Sequence, residues 1–211
     1  QLSKNAVKYM QEIGRQYPDC GYGGHFLYWI FSDDPQPYSS YGNGSAMRIS
    51  AVGFAAESIE QAKALSQAVT EVSHDHPEGL KGAEAVAVAI FLARNGSSHQ
   101  EIRDYIDKHY YPMDFTLDQI REDYSFDVTC QGSVPQAFQA FFESQDFEDA
   151  IRNAISIGGD SDTIAAICGG LAQAYYGIPT PIRNQAMTYL DDYLVEIVES
   201  FESTYPFQPN K

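Results

Sequence analysis

The sequence predicts an all-α fold, a single compact multi-helix domain across residues 1–211, on three observations. Apolar residues recur every three to four positions along most of the chain. Ser or Thr followed three residues later by Glu or Gln announces several helix starts, and no segment alternates apolar and polar residues as a half-buried strand would. With 44% hydrophobic content, 15 Tyr and 12 Phe in 211 residues, there is ample material for one core.

Val7, Met10 and Ile13 share a helix face, which ends in the turn residues Tyr17-Pro18-Asp19-Cys20-Gly21-Tyr22-Gly23-Gly24. Ser58 and Gln61 form a capping box ahead of the stripe Ala62, Leu65, Ala68, Val69 and Val72, and His74-Asp75-His76-Pro77 stops that helix. From about Leu80 to Arg94 the chain is apolar on most sides, as suits a central buried helix ended at Asn95-Gly96. Further boxes begin at Ser98, Thr116 and Ser133, reaching Glu101, Gln119 and Gln136. Phe147, Ala150, Ile151, Ala154 and Ile155 make another stripe, closed by Gly158-Gly159. Two helices follow, Ile164 to Tyr176 with Gly177 as stop, then Ile182 to about Phe201 after a first-turn Pro181. The count is about eight helices, with loops near 17–57, 110–115, 123–132 and in the tail after Ser203.

The net charge is −16, from 29 acidic and 13 basic residues. Such a surface repels nucleic acid and anionic membranes, whose recognition relies on clustered Lys and Arg. Cys20, Cys130 and Cys168 lie far apart without zinc spacing, so a reduced, cytoplasmic setting is expected. No apolar run is long enough to span a membrane and no secretory apolar segment is present. The chain opens at Gln1 inside an amphipathic segment, which suggests that a stretch precedes it.

The sharpest local feature is Gly158-Gly159-Asp160-Ser161-Asp162-Thr163, between two strong helix signals. Oxygen-only donors flanked by glycines suit a hard cation such as Mg²⁺. The plainer reading is that Asp162 caps the following helix. Gly42-Asn43-Gly44 alone would be a turn, and His74 alone a helix-end residue suited to the dipole.

Residues 158–179, G-G-D-S-D-T-I-A-A-I-C-G-G-L-A-Q-A-Y-Y-G-I-P, resemble the C-terminal signature of the ADP-ribosylglycohydrolase family. Ser40–Arg48 (S-Y-G-N-G-S-A-M-R), Ser73–Ala83 (S-H-D-H-P-E-G-L-K-G-A) and Ser133–Phe138 (S-V-P-Q-A-F) resemble it too, in the family's order. The resemblance implies an all-α domain with a two-magnesium centre in a cleft. By motif, Asp160, Asp162 and Thr163 would ligate magnesium. Ser40, Tyr41, Gly42, Asn43 and Gly44 would wrap the diphosphate and ribose, with glycines that let backbone amides approach closely. His74 would contact the ligand. Arg48 could pair with a buried carboxylate, and His76 could shape the Pro77 turn.

The family's upstream T-D-D motif and N-terminal catalytic Glu have no counterpart here, so the catalytic acid is expected outside this chain and half of the metal shell with it. Asp33-Asp34 reads as a solvated turn and Asp191-Asp192 as a polar face of the last helix. The implied function is magnesium-dependent hydrolysis of the N- or O-glycosidic bond of an ADP-ribosylated protein or small molecule. The alternative is an inactive module that binds ADP-ribose without cleaving it.

Overall fold

A computed structural model describes residues 1–206, and all of its regular structure is helical, in thirteen helices. The first four are α1 (Leu2–Gln16), α2 (Gly24–Phe31), α3 (Gly44–Met47) and α4 (Ser50–Ala55). Then come α5 (Ile59–Thr70), α6 (Pro77–Arg94), α7 (His99–His109), α8 (Leu117–Ile120) and α9 (Cys130–Phe142). The chain ends on α10 (Phe147–Ser156), α11 (Ser161–Tyr176), α12 (Thr180–Met187) and α13 (Asp192–Thr204). The end of the expected C-terminal tail, residues 207–211, lies outside the described residues.

The central buried helix is α6, on which Ala83, Val86, Ala87, Ala89, Ile90 and Ala93 have no exposure. Its alanines are strong helix formers without bulk, so α4, α5, α9 and α11 can approach it from several sides. Phe138, Phe141, Ile164, Ile167 and Leu171 complete the main core from α9 and α11. Burying each such side chain contributes about 1.5–3 kcal/mol. Val7 and Met10 pack instead on a smaller cluster around Trp29, Ile30 and Val72.

The excess over eight helices comes from short pieces. Three of them, α2, α3 and α4, occupy the stretch read as a loop over 17–57. They are too short to show a helical period, and α2 is apolar on nearly every side. The α6 helix begins at Pro77, three residues ahead of the expected start, with His76 Nδ1 accepting the Glu78 amide at 3.1 Å. Capping boxes form at Ser98 and Thr116. Ser58 accepts the Gln61 amide, but the Gln61 side chain bonds the Glu57 amide instead of closing the box.

The expected start at Ser133 is corrected. The helix begins at Cys130 with Thr129 as cap, and Ser133 is fully buried inside it, donating to the Asp127 carbonyl at 3.0 Å. The last helix is also corrected: the chain breaks after Met187 and restarts with Asp191 as a true cap of α13, accepting the Leu194 amide at 3.0 Å. Asp191 is therefore a cap and not a polar-face residue; it also accepts from the Tyr17 hydroxyl. Ile155 belongs to no buried stripe, being 53% exposed near the end of α10.

No helix among the described residues is long and apolar enough to cross a membrane. Close packing of α4 on α6 depends on Gly53, where a Cβ would lie 2.5 Å from Ile90 and 2.7 Å from the Ala87 carbonyl oxygen. The carbonyl is backbone and cannot step aside. Gly53→Ala should therefore lower stability by about 1–3 kcal/mol, the usual range for overpacking. Equilibrium urea unfolding monitored by circular dichroism measures it, with an unchanged midpoint counting against this packing.

Candidate active site

The segment Ser39–Gly44 is held from three directions. Ser39 has φ 54°, the one non-glycine in the left-handed region among the described residues, and its amide donates to the Asp75 carboxylate at 2.7 Å. Such a conformation persists only where surrounding contacts impose it. The Ser40 carbonyl lies against the first turn of α6, which only Gly79 allows, since a Cβ there would come within 2.5 Å of that oxygen. Further on, Gly42 bridges Thr129, with Asn43 donating its amide to Val128 at 2.8 Å and Cys130 donating to Tyr41 at 2.9 Å.

Two loop amides are thereby already used inside the protein. The Gly42 amide donates to Ser40 Oγ at 3.1 Å and that of Asn43 to Val128. A Cβ at Gly42 would be tight against Ser40 Oγ, at 3.2 Å, and a Cβ at either Gly42 or Gly44 would be in ordinary contact with His74 Nε2, at 3.7 Å. Tyr41 remains 47% exposed, its ring set edge-on to His76 at 5.1 Å. His76 thus caps α6 and steadies Tyr41 as well as shaping the turn.

His74 is buried, 5% exposed, and Ser73 Oγ lies 2.9 Å from its Nδ1. Burial, with the nearby Arg48 charge adding to it, holds the imidazole down at about 3. It is neutral at physiological pH, so the helix-dipole reading does not apply. Arg48 does not pair with a carboxylate among the described residues. Its Nη2 donates to Ser73 Oγ at 2.7 Å, its guanidinium lies 5.2 Å from the centre of the Phe26 ring, and its Nε has no partner.

Asp160 sits at the cap position of α11 yet makes no capping bond. Its Oδ2 instead accepts from Asn43 Nδ2 at 2.7 Å, and the same amide group donates to Ser133 Oγ at 2.9 Å. Burial raises the Asp160 carboxyl above the usual carboxylate range, and the neighbouring Asp162 raises it further, against the hydrogen bonds from Asn43 and Thr163. Asp162, in the first turn, accepts only its neighbour Thr163's amide, at 3.0 Å, and so does not act as the helix cap. The buried Thr163 hydroxyl, besides its bond to Asp160, lies 3.5 Å from the Met47 sulfur, a weak acceptor. The turn itself needs Gly158 and Gly159, at φ 71° and 68°; at Gly159 a Cβ would come 2.3 Å from the Tyr124 ring.

Two crowded carboxylates and an adjacent hydroxyl are a donor set fit for a hard cation. The set is small: among the described residues no three His, Cys, Asp or Glu side chains converge on one metal position. Asp33 and Asp34 stand apart from this set, in a turn between α2 and the Ser39 segment.

Asn43 therefore ties the 40–44 loop to Asp160 and to the start of α9, while His74 faces the loop's glycines. Sequence reasoning did not single out Ser39, Ser73, Asp75 or Ser133 as parts of this arrangement. Ser73, Asp75 and Ser133 lie within blocks already conspicuous, and Ser39 carried no signal, because a strained serine looks like any other.

The ADP-ribosylglycohydrolase family model matches residues 5–206. The human ADP-ribosylhydrolase ARH3 is 25% identical over 185 residues, covering 66% of this chain and 51% of that protein. The ADP-ribosylarginine hydrolase Tri1 of Pseudomonas putida is 28% identical over 160 residues, covering 71% of this chain and 42% of Tri1. The chain spans about half the length of these curated relatives. A solved ADP-ribosylglycohydrolase-related protein complex superposes with a TM-score of 0.63 over 85% of this chain and 66% of its own, at 24% identity, a likeness of fold.

Asn43→Ala removes a buried hydrogen bond to Ser133, a part-buried one to Asp160 and a longer one, 3.4 Å, to the Asp127 carbonyl. A loss of about 1–3 kcal/mol is expected. Chemical denaturation should show it beside the exposed control Asn184→Ala, which should stay near the parent value.

Proposed function

The chain belongs to the ADP-ribosylglycohydrolase family, and from that premise we propose that it binds ADP-ribose where the Ser40–Gly44 loop meets the Asp160–Thr163 turn and serves hydrolysis of ADP-ribosylated substrates. The observation that carries this reading is the convergence on Asn43 of the phosphate-loop block and the acidic turn. The names of ARH3 and Tri1 agree with it.

The reaction is replacement at the sugar C1: the bond to the nitrogen or oxygen of the modified group breaks, water supplies the new C1–O bond, and the departing group takes a proton. Ser40, Tyr41, Gly42, Asn43 and Gly44 would seat the diphosphate and ribose, with His74 behind them as a neutral hydrogen-bonding group. Asp160, Asp162 and Thr163 would hold magnesium, which when bound would supply positive charge to orient the ribose hydroxyls and to polarise an attacking water. Asn43, by donating to Asp160, keeps one carboxylate oxygen in a set direction, so that ligand loop and metal turn move as one unit.

The donor set gathered among the described residues is small, which also suits a second reading, a module that binds ADP-ribose without turning it over. Both readings share the ligand and differ in chemistry.

Calorimetric titration with ADP-ribose, with and without millimolar magnesium, is the first test. Binding should strengthen with magnesium, and Asp162→Asn should abolish the gain while sparing the magnesium-free affinity. No binding in either condition would sink the ligand assignment. Release of ADP-ribose from an arginine-linked and an O-linked substrate separates hydrolase from binding module.

A further inference from the structure

Beneath the ligand loop lies a chain of hydrogen bonds that the proposed chemistry has not used: Arg48 Nη2 to Ser73 Oγ at 2.7 Å, and Ser73 Oγ to His74 Nδ1 at 2.9 Å. A guanidinium can only donate, so Ser73 Oγ is the acceptor in the first bond. Ser73 is fully buried, and among the described residues its hydroxyl has no acceptor other than His74 Nδ1. Were Nδ1 to carry the proton, the hydroxyl hydrogen would be buried without a partner, at the cost of an unmade hydrogen bond. The hydroxyl therefore donates to Nδ1, and the single proton of the neutral imidazole sits on Nε2. Accepting from a cation also polarises the Ser73 O–H and makes it a better donor.

From this we infer that Arg48 is a positioning residue: acting through Ser73, it locks His74 in the Nε2–H tautomer and presents one neutral N–H donor to the space beside Gly42 and Gly44. Nε2 forms no hydrogen bond among the described residues, and it stands 3.7 Å from where a Cβ of either glycine would be. An N–H in that place matches an acceptor, either a phosphate oxygen or a ribose oxygen of the ligand. Burial of the imidazole and the adjacent guanidinium both oppose a second proton, so the donor does not become a cation in ordinary buffers. The arrangement also explains a buried arginine without a carboxylate partner: its work is to orient a hydroxyl, and the Phe26 ring lies 5.2 Å from its charge.

The inference about a ligand acceptor rests on the ADP-ribose reading, whereas the tautomer can be read in the free protein. Long-range ¹H–¹⁵N correlation spectra of the imidazoles, with His74→Gln to assign the signal among five histidines, report which nitrogen holds the proton. The parent protein should show a protonated Nε2 and a bare Nδ1. Ser73→Ala should give a mixture of tautomers, and Arg48→Lys, which keeps a donor, should preserve the parent pattern in part. ADP-ribose affinity should fall about fivefold in Ser73→Ala, as for one ordinary hydrogen bond lost. A parent spectrum with the proton on Nδ1, or a Ser73→Ala spectrum identical to the parent's, would overturn the proposal. If the tautomers shift as expected and no form of the protein binds ADP-ribose, the relay stands and the ligand reading fails.

Discussion

One side-chain amide, that of Asn43, governs how the rest of the site is arranged. It has two hydrogens to give and spends them on Ser133 at 2.9 Å and Asp160 at 2.7 Å, acceptors that belong to two different helices. Because Asn43 is 6% exposed and Ser133 fully buried, water cannot take the place of that acceptor without opening the structure. The consequence runs outward. Ser133 can accept from Asn43 only if its own hydroxyl points at the Asp127 carbonyl, which fixes the turn leading into α9. Asp160 accepts from Asn43 and makes no capping bond to α11, and its carboxylate stands beside that of Asp162. A crowded acid pair is unfavourable for folding alone, and it makes sense where a cation is to be held.

The sequence was most legible where one structural rule acted alone. The α6 helix was readable because its apolar residues surround the axis and no neighbour changes its length beyond the first turn. The boxes at Ser98 and Thr116 were readable because capping is decided within four residues. Ser133 misled for the same reason in reverse. Its local pattern is a good box, but a tertiary donor claims its oxygen, and the helix starts at Cys130 instead. The break between α12 and α13 was hidden because the apolar period continues through it, while Asp191 looks like any exposed acid until it is seen bonding the Leu194 amide.

For the site, the same division holds. The residue types around Asp160, Ser40 and His74 could be read from the chain, as could their membership in four separated blocks. Which of them touch could not. The contact between Asn43 and Asp160 spans 117 positions, and that between Arg48 and Ser73 spans 25, and no local pattern encodes either. Even the role of the glycines shifted once neighbours were visible. Gly42 and Gly44 stand next to His74 Nε2, while the amides at 42 and 43 are consumed by the fold.

On the proposed reading the electrostatics pose a further question, since a protein of net charge −16 would be an unfavourable host for a diphosphate. The geometry answers it locally. The loop offers neutral groups, namely the Ser40 hydroxyl, the Tyr41 phenol and an imidazole held uncharged by burial. The acidic pair is gathered at one end, where its charge would be met by metal rather than by phosphate. The Arg48 guanidinium donates to Ser73, so that on the proposed relay its charge acts through an oriented hydroxyl and not by direct pairing. A direct arginine would hold any phosphate tightly; a neutral N–H backed by a buried cation holds an acceptor by direction and position. Discrimination then falls to shape, which is the property that the close approach of Ser40 to Gly79 and the strained Ser39 preserve.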